Sequence, residues 1–322
     1  MKRTLLRRAV VPAASVAALA MALSACGGNN DSGGSGGGLS GSVNIDGSST
    51  VGPMTQTAAE LFNADNPDVK ITVGESGTGG GFEKFCAGET DINDASRPIE
   101  DDEKTLCDKG GVTYQEMVVA NDAITVVVNK DNTWATCLTT EQLKKIWEPK
   151  SKVTNWNQVD PSFPDEQLSL YGPGTDSGTF DYFTSSINGE EGASRTDYSP
   201  SENDNVTVQG VQGSKGAMGY FGYSYYEENS DTLTAVEVDS GDGCVAPSAS
   251  TVQDGTYTPL ARPLFIYPSI EAGKSNEAMV AFVKYYVEND ENIATTAKFI
   301  PLSSDQKSTL DSELSDFQSA IG

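Results

Sequence analysis

Three segments of this sequence gather hydroxyls and backbone amides where a strand signal gives way to a helix signal. The first is Asp46-Gly47-Ser48-Ser49-Thr50-Val51-Gly52-Pro53, and the second is Glu75-Ser76-Gly77-Thr78-Gly79-Gly80-Gly81-Phe82. The third is Tyr171-Gly172-Pro173-Gly174-Thr175-Asp176-Ser177-Gly178-Thr179-Phe180. Helix starts leave N–H groups unpaired and carry partial positive charge. Glycine lets a backbone come close to a ligand, and Ser and Thr add further donors. Such turns suit a small oxyanion. One Ser or Thr before a helix is an ordinary cap, but three turns each hold more hydroxyls than a cap needs. No Gly-Lys-Ser/Thr follows any of them, and no GxGxxG with a downstream acid occurs, so nucleotide loops are excluded. A fourth segment, Asp94-Ala95-Ser96-Arg97-Pro98-Ile99, puts Arg97 just after a strand-like stretch. A guanidinium is the natural two-pronged partner of a tetrahedral oxyanion. The competing reading of Arg97 is an ion pair with the acidic run Glu100-Asp101-Asp102-Glu103.

Catalytic alternatives fare poorly. The chain has no histidine, which removes Ser-His-Asp and Cys-His schemes, His-based zinc sites and the commonest general base. Asp176-Ser177-Gly178 resembles a serine-protease nucleophile but has no base, and Ser304-x-x-Lys307 falls on a terminal helix. Neither an enzyme, a cofactor nor a metal site is expected. The chain holds 21 basic and 46 acidic residues, net −25. Without residues 1–25, which hold four bases and no acid, the net charge is −29. Nucleic-acid binding, which needs many basic phosphate contacts, is not expected.

The elements that must position these turns alternate between strand and helix patterns. That alternation predicts an α/β fold with largely parallel strands. Strands are expected at 42–46, 69–73, 112–120, 123–129, 168–171, 233–238 and 262–267. Gly77 to Gly81 reads as a loop before a short helix from Phe82 to Cys86. Met54, Ala58, Leu61 and Phe62 fall on one helical face, as do Met279, Phe282, Val283 and Tyr286. A chain of 322 residues is expected to divide its core in two.

The N-terminus reads as an export signal over residues 1–25. Four bases precede an apolar run from Ala9 to Leu23, which is too short for a confident membrane span. Leu23-Ser24-Ala25-Cys26 resembles the lipobox of bacterial lipoproteins, which implies lipid attachment at Cys26 and anchoring to the outer face of the cell membrane. Residues 26–40 are a Gly/Ser tether. The remaining cysteines, Cys86, Cys107, Cys137 and Cys244, suggest two disulfides in an exported chain. Cys86–Cys107 closes the short loop and is favoured, leaving Cys137–Cys244.

Taken together these residues resemble the periplasmic phosphate-binding proteins of bacterial phosphate ABC transporters. The likeness rests on Gly47 to Val51, Gly77 to Phe85, Gly88 to Ile92, Ala95 to Ile99 and Gly172 to Tyr182. It extends to Lys144 to Trp147, Gly216 to Tyr220 and Arg262 to Leu264, and so covers nearly everything after residue 40. The resemblance implies a two-lobe periplasmic-binding-protein fold of type II that closes on one phosphate and docks on a membrane permease. Two crossing strands would form its hinge, near 126–129 and 260–265. Lobe one would comprise 41–127 plus 263–322, and lobe two 128–262. Ser49, Thr50, the Val51 N–H, Ser76, Thr78 and Gly79 would donate from lobe one, with Ser96 and Arg97. Ser177, Gly178 and Thr179 would donate from lobe two. Some branches carry the binding Arg just before the third turn's Ser-Gly-Thr and an Asp where this chain has Ser96. Here Pro173 stands in the Arg position, which leaves open whether Asp176 or Asp94 accepts the phosphate's proton. Such an acceptor would reject sulfate, which has no proton to offer. A monomer is expected. The alternatives are a receptor for sulfate, molybdate or tungstate, a secreted phosphatase, or a surface protein that keeps the fold without transport.

Overall fold

The computed structural model describes residues 38–322, apart from 176 and 202. The expected signal, Cys26 and Asp176 lie outside the described residues, as does most of the tether. The strands, in chain order, are β1 (Gly41–Gly47), β2 (Val69–Val73), β3 (Ile92–Ala95), β4 (Met117–Asn129), β5 (Cys137–Thr139) and β6 (Ser169–Gly172). They continue with β7 (Ser199–Pro200), β8 (Ala217–Gly222), β9 (Leu233–Ala235), β10 (Glu237–Asp239), β11 (Cys244–Val245) and β12 (Ala261–Pro268). The helices that matter to the site are α1 (Gly52–Asp65), α2 (Gly77–Cys86), α3 (Asp101–Gly110), α4 (Thr140–Trp147), α5 (Trp156–Val159) and α6 (Gly178–Phe183).

One sheet runs in the order β2-β1-β3-β12-β4-β8-β6-β7, with β9 also paired to β4. Its outer pairs are parallel, whereas β12 and β4 run antiparallel to their neighbours. The sheet is therefore mixed rather than largely parallel. The reason is that β4 and β12 are the long central strands on which two separate parallel sets are hung.

Residues 112–129 were expected to form two strands divided at Asn121-Asp122. Instead β4 runs through that polar pair for 13 residues. Asn121 is held on both backbone atoms by Ile300 and through its side chain by Gln306, and Asp122 pairs with Arg262. Polar residues can thus sit inside a buried strand because each has a partner. At this point β4 changes neighbours: Met117 to Ala123 pair with β12, and Ile124 to Val128 pair with β8. It also changes cores. Met117, Val119 and Ala120 pack with Met54, Phe62, Phe282 and Tyr286, while Ile124, Val126 and Val128 pack with Trp147, Trp156 and Tyr220. Each aromatic so buried contributes roughly 1.5–3 kcal/mol of transfer free energy.

The expected apolar faces largely hold. Met54, Ala58 and Phe62 are buried on α1, with Pro53 in its first turn. The stretch Gly77 to Gly81 is not a loop but the first turn and a half of α2. Helical glycine is unfavourable alone, so packing must select it. A Cβ on Gly81 would lie 2.2 Å from Asn93 Oδ1 and 2.5 Å from Gly47 Cα. The expected strand 233–238 splits into β9 and β10, which belong to different sheets. Both disulfides form as expected: Cys86–Cys107 ties α2 to α3, and Cys137–Cys244 ties β5 to β11.

Candidate functional site

The three hydroxyl-rich turns converge on one cavity of about 560 Å³. Ser49 and Thr50 line it from the first turn, Ser76 to Gly80 from the second, and Ser96 and Arg97 from the end of β3. Gly178 closes it from the third turn, and a Cβ there would lie 2.5 Å from Thr50 Oγ1. The first and third turns, 128 residues apart in sequence, are thus in direct contact, and only a residue without a side chain fits between them. Ser177 and Thr179 flank Gly178, half-buried and outside the cavity lining, and the Ser177 hydroxyl accepts from the Thr179 N–H at 3.2 Å. Val51 is fully buried and faces the core.

The second turn is held from beneath by Asp46. Its carboxylate accepts the Ser76 N–H at 3.0 Å, the Ser76 hydroxyl at 2.5 Å and Lys84 Nζ at 2.6 Å. Burial pushes this carboxyl up, but Lys84 and Ser76 outweigh it and hold the group below the ordinary value. The Ser76 proton is therefore spent on Asp46, and Ser76 shapes the turn. Thr78 and Ser96 face each other across the cavity floor, with hydroxyls 3.2 Å apart and the Ser96 N–H donating to Thr78 Oγ1.

Arg97 lines the cavity but is heavily engaged. Its Nη1 and Nη2 bond both oxygens of Glu103 at 2.8 and 2.7 Å, Nη1 also meets Pro98 O at 3.2 Å, and Nε lies 3.3 Å from Glu100. Glu103 raises the guanidinium's pKa, and burial opposes it. Asp94 is placed differently from the other acids. It is 0 % exposed, lies beneath the first turn, and does not line the cavity. Neither oxygen has a charged partner, and the Thr55 hydroxyl is the side chain that favours its ionised form. Burial pushes its carboxyl up to about 8, and the charges of Asp46 and Glu75 push the same way. A carboxyl so raised favours its protonated form, and Asp94 does not line the cavity.

Several cavity residues escaped the sequence reading. Arg262, at the start of β12, lies directly across from Asp122 on β4 in the strand register. Its Nε is 3.3 Å from Asp122, its Nη2 donates to Thr50 Oγ1 at 2.9 Å, and its guanidinium lies 3.8 Å from the centre of the Tyr182 ring. Asp181, Tyr182, Ser185 and Glu191 line the same side. Burial, helped by Glu191, raises the Asp181 carboxyl above its ordinary value. A signal for Arg262 existed. Only three arginines follow residue 25, and the third, Arg195, is consumed by Asp197 and the carbonyls of Ile146 and Val153. Among the described residues the one trio of metal-type ligands is Cys137, Glu237 and Cys244, and its two sulfurs are joined to each other.

This arrangement has known counterparts. Residues 33–290 match the model of the PBP superfamily domain. The chain belongs to the PBP superfamily. Protein SphX of Synechocystis sp. is 47% identical over 299 residues, 92% of this chain and 86% of SphX. The phosphate-binding protein PstS of Staphylococcus saprophyticus is 42% identical over 298 residues, 90% of each. The crystal structure of a "possible phosphate binding protein" from Planctomyces limnophilus superposes with a TM-score of 0.83 at 46% identity, covering 87% of this chain and 99% of that one. The fold is accordingly the type II periplasmic-binding-protein fold expected from the sequence. As a superfamily member the chain is a substrate-binding protein.

Proposed function

We propose that this protein captures inorganic phosphate with high affinity outside the membrane and delivers it to the transmembrane subunits of an ABC permease for import. One observation carries the reading: three turns from distant parts of the chain meet at a single polar cavity, in a chain similar to proteins named for phosphate binding. Phosphate would be held by Ser49, Thr50 and the Val51 N–H, by Thr78, Gly79 and Ser96, and by Ser177, Gly178 and Thr179, with guanidinium charge alongside. Ser76, already bonded to Asp46, would act by shaping its turn. Overall negative charge is no obstacle, since exposed charges are screened beyond roughly 8 Å at physiological salt.

Residues 41–127 with 263–322 would form one lobe and 128–262 the other, closing about β4 and β12, although Ile124, Val126 and Val127 already pack in the second lobe's cores and so shift that crossing to Asn121–Ala123. The protein would act as a monomer, tethered to the outer face of the cell membrane by lipid on Cys26. Phosphate would be told from sulfate by a carboxylate that accepts its proton. Asp176 is the first choice, and Asp181, beside Glu191, is a described carboxylate lining the cavity. Calorimetry tests the reading: heat with phosphate and none with sulfate is expected. No heat with phosphate, or equal heat with both, would overturn it. Asp176→Asn and Asp181→Asn then assign the acceptor, since the variant that begins to bind sulfate has lost it.

A further inference from the structure

The cavity offers two guanidinia, and their remaining donor capacity differs. A guanidinium has five N–H groups. Arg97 spends three of them, on both oxygens of Glu103 and on Pro98 O, and its Nε lies 3.3 Å from Glu100 in a further ion pair. Two carboxylates face its single charge. Arg262 spends two, one on Asp122 and one on Thr50, and three remain. Only one carboxylate faces it at bonding distance, and both partners are nearly buried, at 14% and 12% side-chain exposure.

Arg262 is also held on every side. Strand register sets it opposite Asp122, and the Tyr182 ring fixes the plane of the guanidinium, a contact that strengthens when desolvated. Because Thr50 Oγ1 accepts from Arg262, the Thr50 hydroxyl proton is left to point elsewhere, into the cavity that both residues line. The same guanidinium thus touches the first turn, the central strand pair and the helix behind the third turn.

We propose that Arg262 is the charged group that meets the bound anion, with Asp122 and Tyr182 as its positioning residues, and that Arg97 chiefly braces the loop to α3. The proposal rests on the phosphate reading above and specifies how that site supplies its charge. Losing a charged hydrogen-bond donor from such a site corresponds to a loss on the order of 100-fold in affinity.

The test is phosphate calorimetry on wild type, Arg262→Ala, Arg262→Lys, Arg97→Ala and Asp122→Asn, with thermal unfolding of each. Arg262→Ala is expected to lose about 100-fold in affinity and Arg97→Ala less than about tenfold. Arg262→Lys keeps the charge but not the planar fork, and should fall between wild type and Arg262→Ala. It serves as the test if the alanine variant does not fold. Asp122→Asn should weaken binding severalfold in the wild-type background and not at all beside Arg262→Ala or, failing that, less beside Arg262→Lys. A purely structural Asp122 would give the same loss in every background. Arg262 variants that bind like wild type, or a larger loss from Arg97→Ala, overturn the proposal while leaving phosphate binding intact. A wild-type protein that gives no heat with phosphate overturns the phosphate reading itself.

Discussion

Two acids stand at the carboxyl ends of neighbouring parallel strands, Asp46 on β1 and Asp94 on β3, paired directly to one another's strands in the sheet. Both are nearly or wholly out of water. Asp46 receives three hydrogen bonds, one from a lysine, and its carboxyl sits below the ordinary range. Asp94 has only the Thr55 hydroxyl to favour its ionised form, and its carboxyl is pushed up to about 8. Asp94 is the more deeply buried and has the fewer partners, so burial and partners together set the two carboxyls apart. Asp46 is a charged brace for the second turn, whereas Asp94 favours its protonated form.

The largest effect that sharpens this contrast belongs to Asp94. Its folded carboxyl titrates near 8, against 3.8 in the absence of the fold. Below pH 3.8 both states are protonated, so the residue costs nothing. Between the two values the unfolded chain releases a proton that the folded chain keeps, and stability falls by about 1.4 kcal/mol per pH unit. Above pH 8 the cost is constant, on the order of 5 kcal/mol. Asp94→Asn removes this dependence. Urea unfolding from pH 4 to 9 should show the two proteins converging in acid and the variant increasingly more stable toward pH 8. Parallel curves would mean that Asp94 has a charged partner after all.

Asp46 should behave in the opposite sense and on a smaller scale. A depressed carboxyl stabilises above its ordinary range, and that stability is lost as pH falls through the folded value. Asp46→Ala leaves Ser76 without its acceptor and Lys84 without its counter-ion. It should cost about 2–3 kcal/mol at pH 7, with the deficit shrinking in acid. Phosphate affinity should fall as well, because the second turn loses what holds Ser76 beneath Thr78 and Gly79. An Asp46→Ala protein with unchanged affinity would show that the turn is kept in shape by Gly81 packing on Gly47 and Asn93 alone.

Much of the site was legible in the residues themselves. The three turns could be found because a small-anion site demands hydroxyls, glycines and helix starts in a local run, and local runs are visible in sequence. What could not be read was anything set by strand register. Arg262 faces the cavity because β12 pairs with β4 so that it lies opposite Asp122, a relation across 140 residues. Asp94 was a reasonable candidate for the cleft because Asp46 and Asp94 read alike, each an acid between a strand and a hydroxyl-bearing turn. Strand alternation and the position of α1 then turn Asp94 inward, beneath Thr55 and Tyr286. The helical Gly77 to Gly81 was misread for a related reason. Glycine's low intrinsic preference for helix is overridden by contacts with Gly47 and Asn93 from other strands.

The smallest effect is the most discriminating about how Asp46 works. Lys84 supplies its charge from a side chain that is 42% exposed, and an ion pair so placed is worth about 0–1 kcal/mol. If Asp46 is held down mainly by its lysine, Lys84→Met should approach the cost of Asp46→Ala. If the Ser76 N–H and hydroxyl do most of the work, the methionine keeps the covering stem and the loss stays under about 1 kcal/mol. The second outcome is expected, because Ser76 supplies two of the three bonds to this carboxylate and they carry no full charge for salt to screen. Urea unfolding at low and high ionic strength separates the two. A small loss that disappears in high salt assigns the lysine to the surface and the brace to Ser76. A loss above about 1.5 kcal/mol that persists in salt would make Asp46 a true buried ion pair, and phosphate affinity would then depend on Lys84 as much as on the turn it supports.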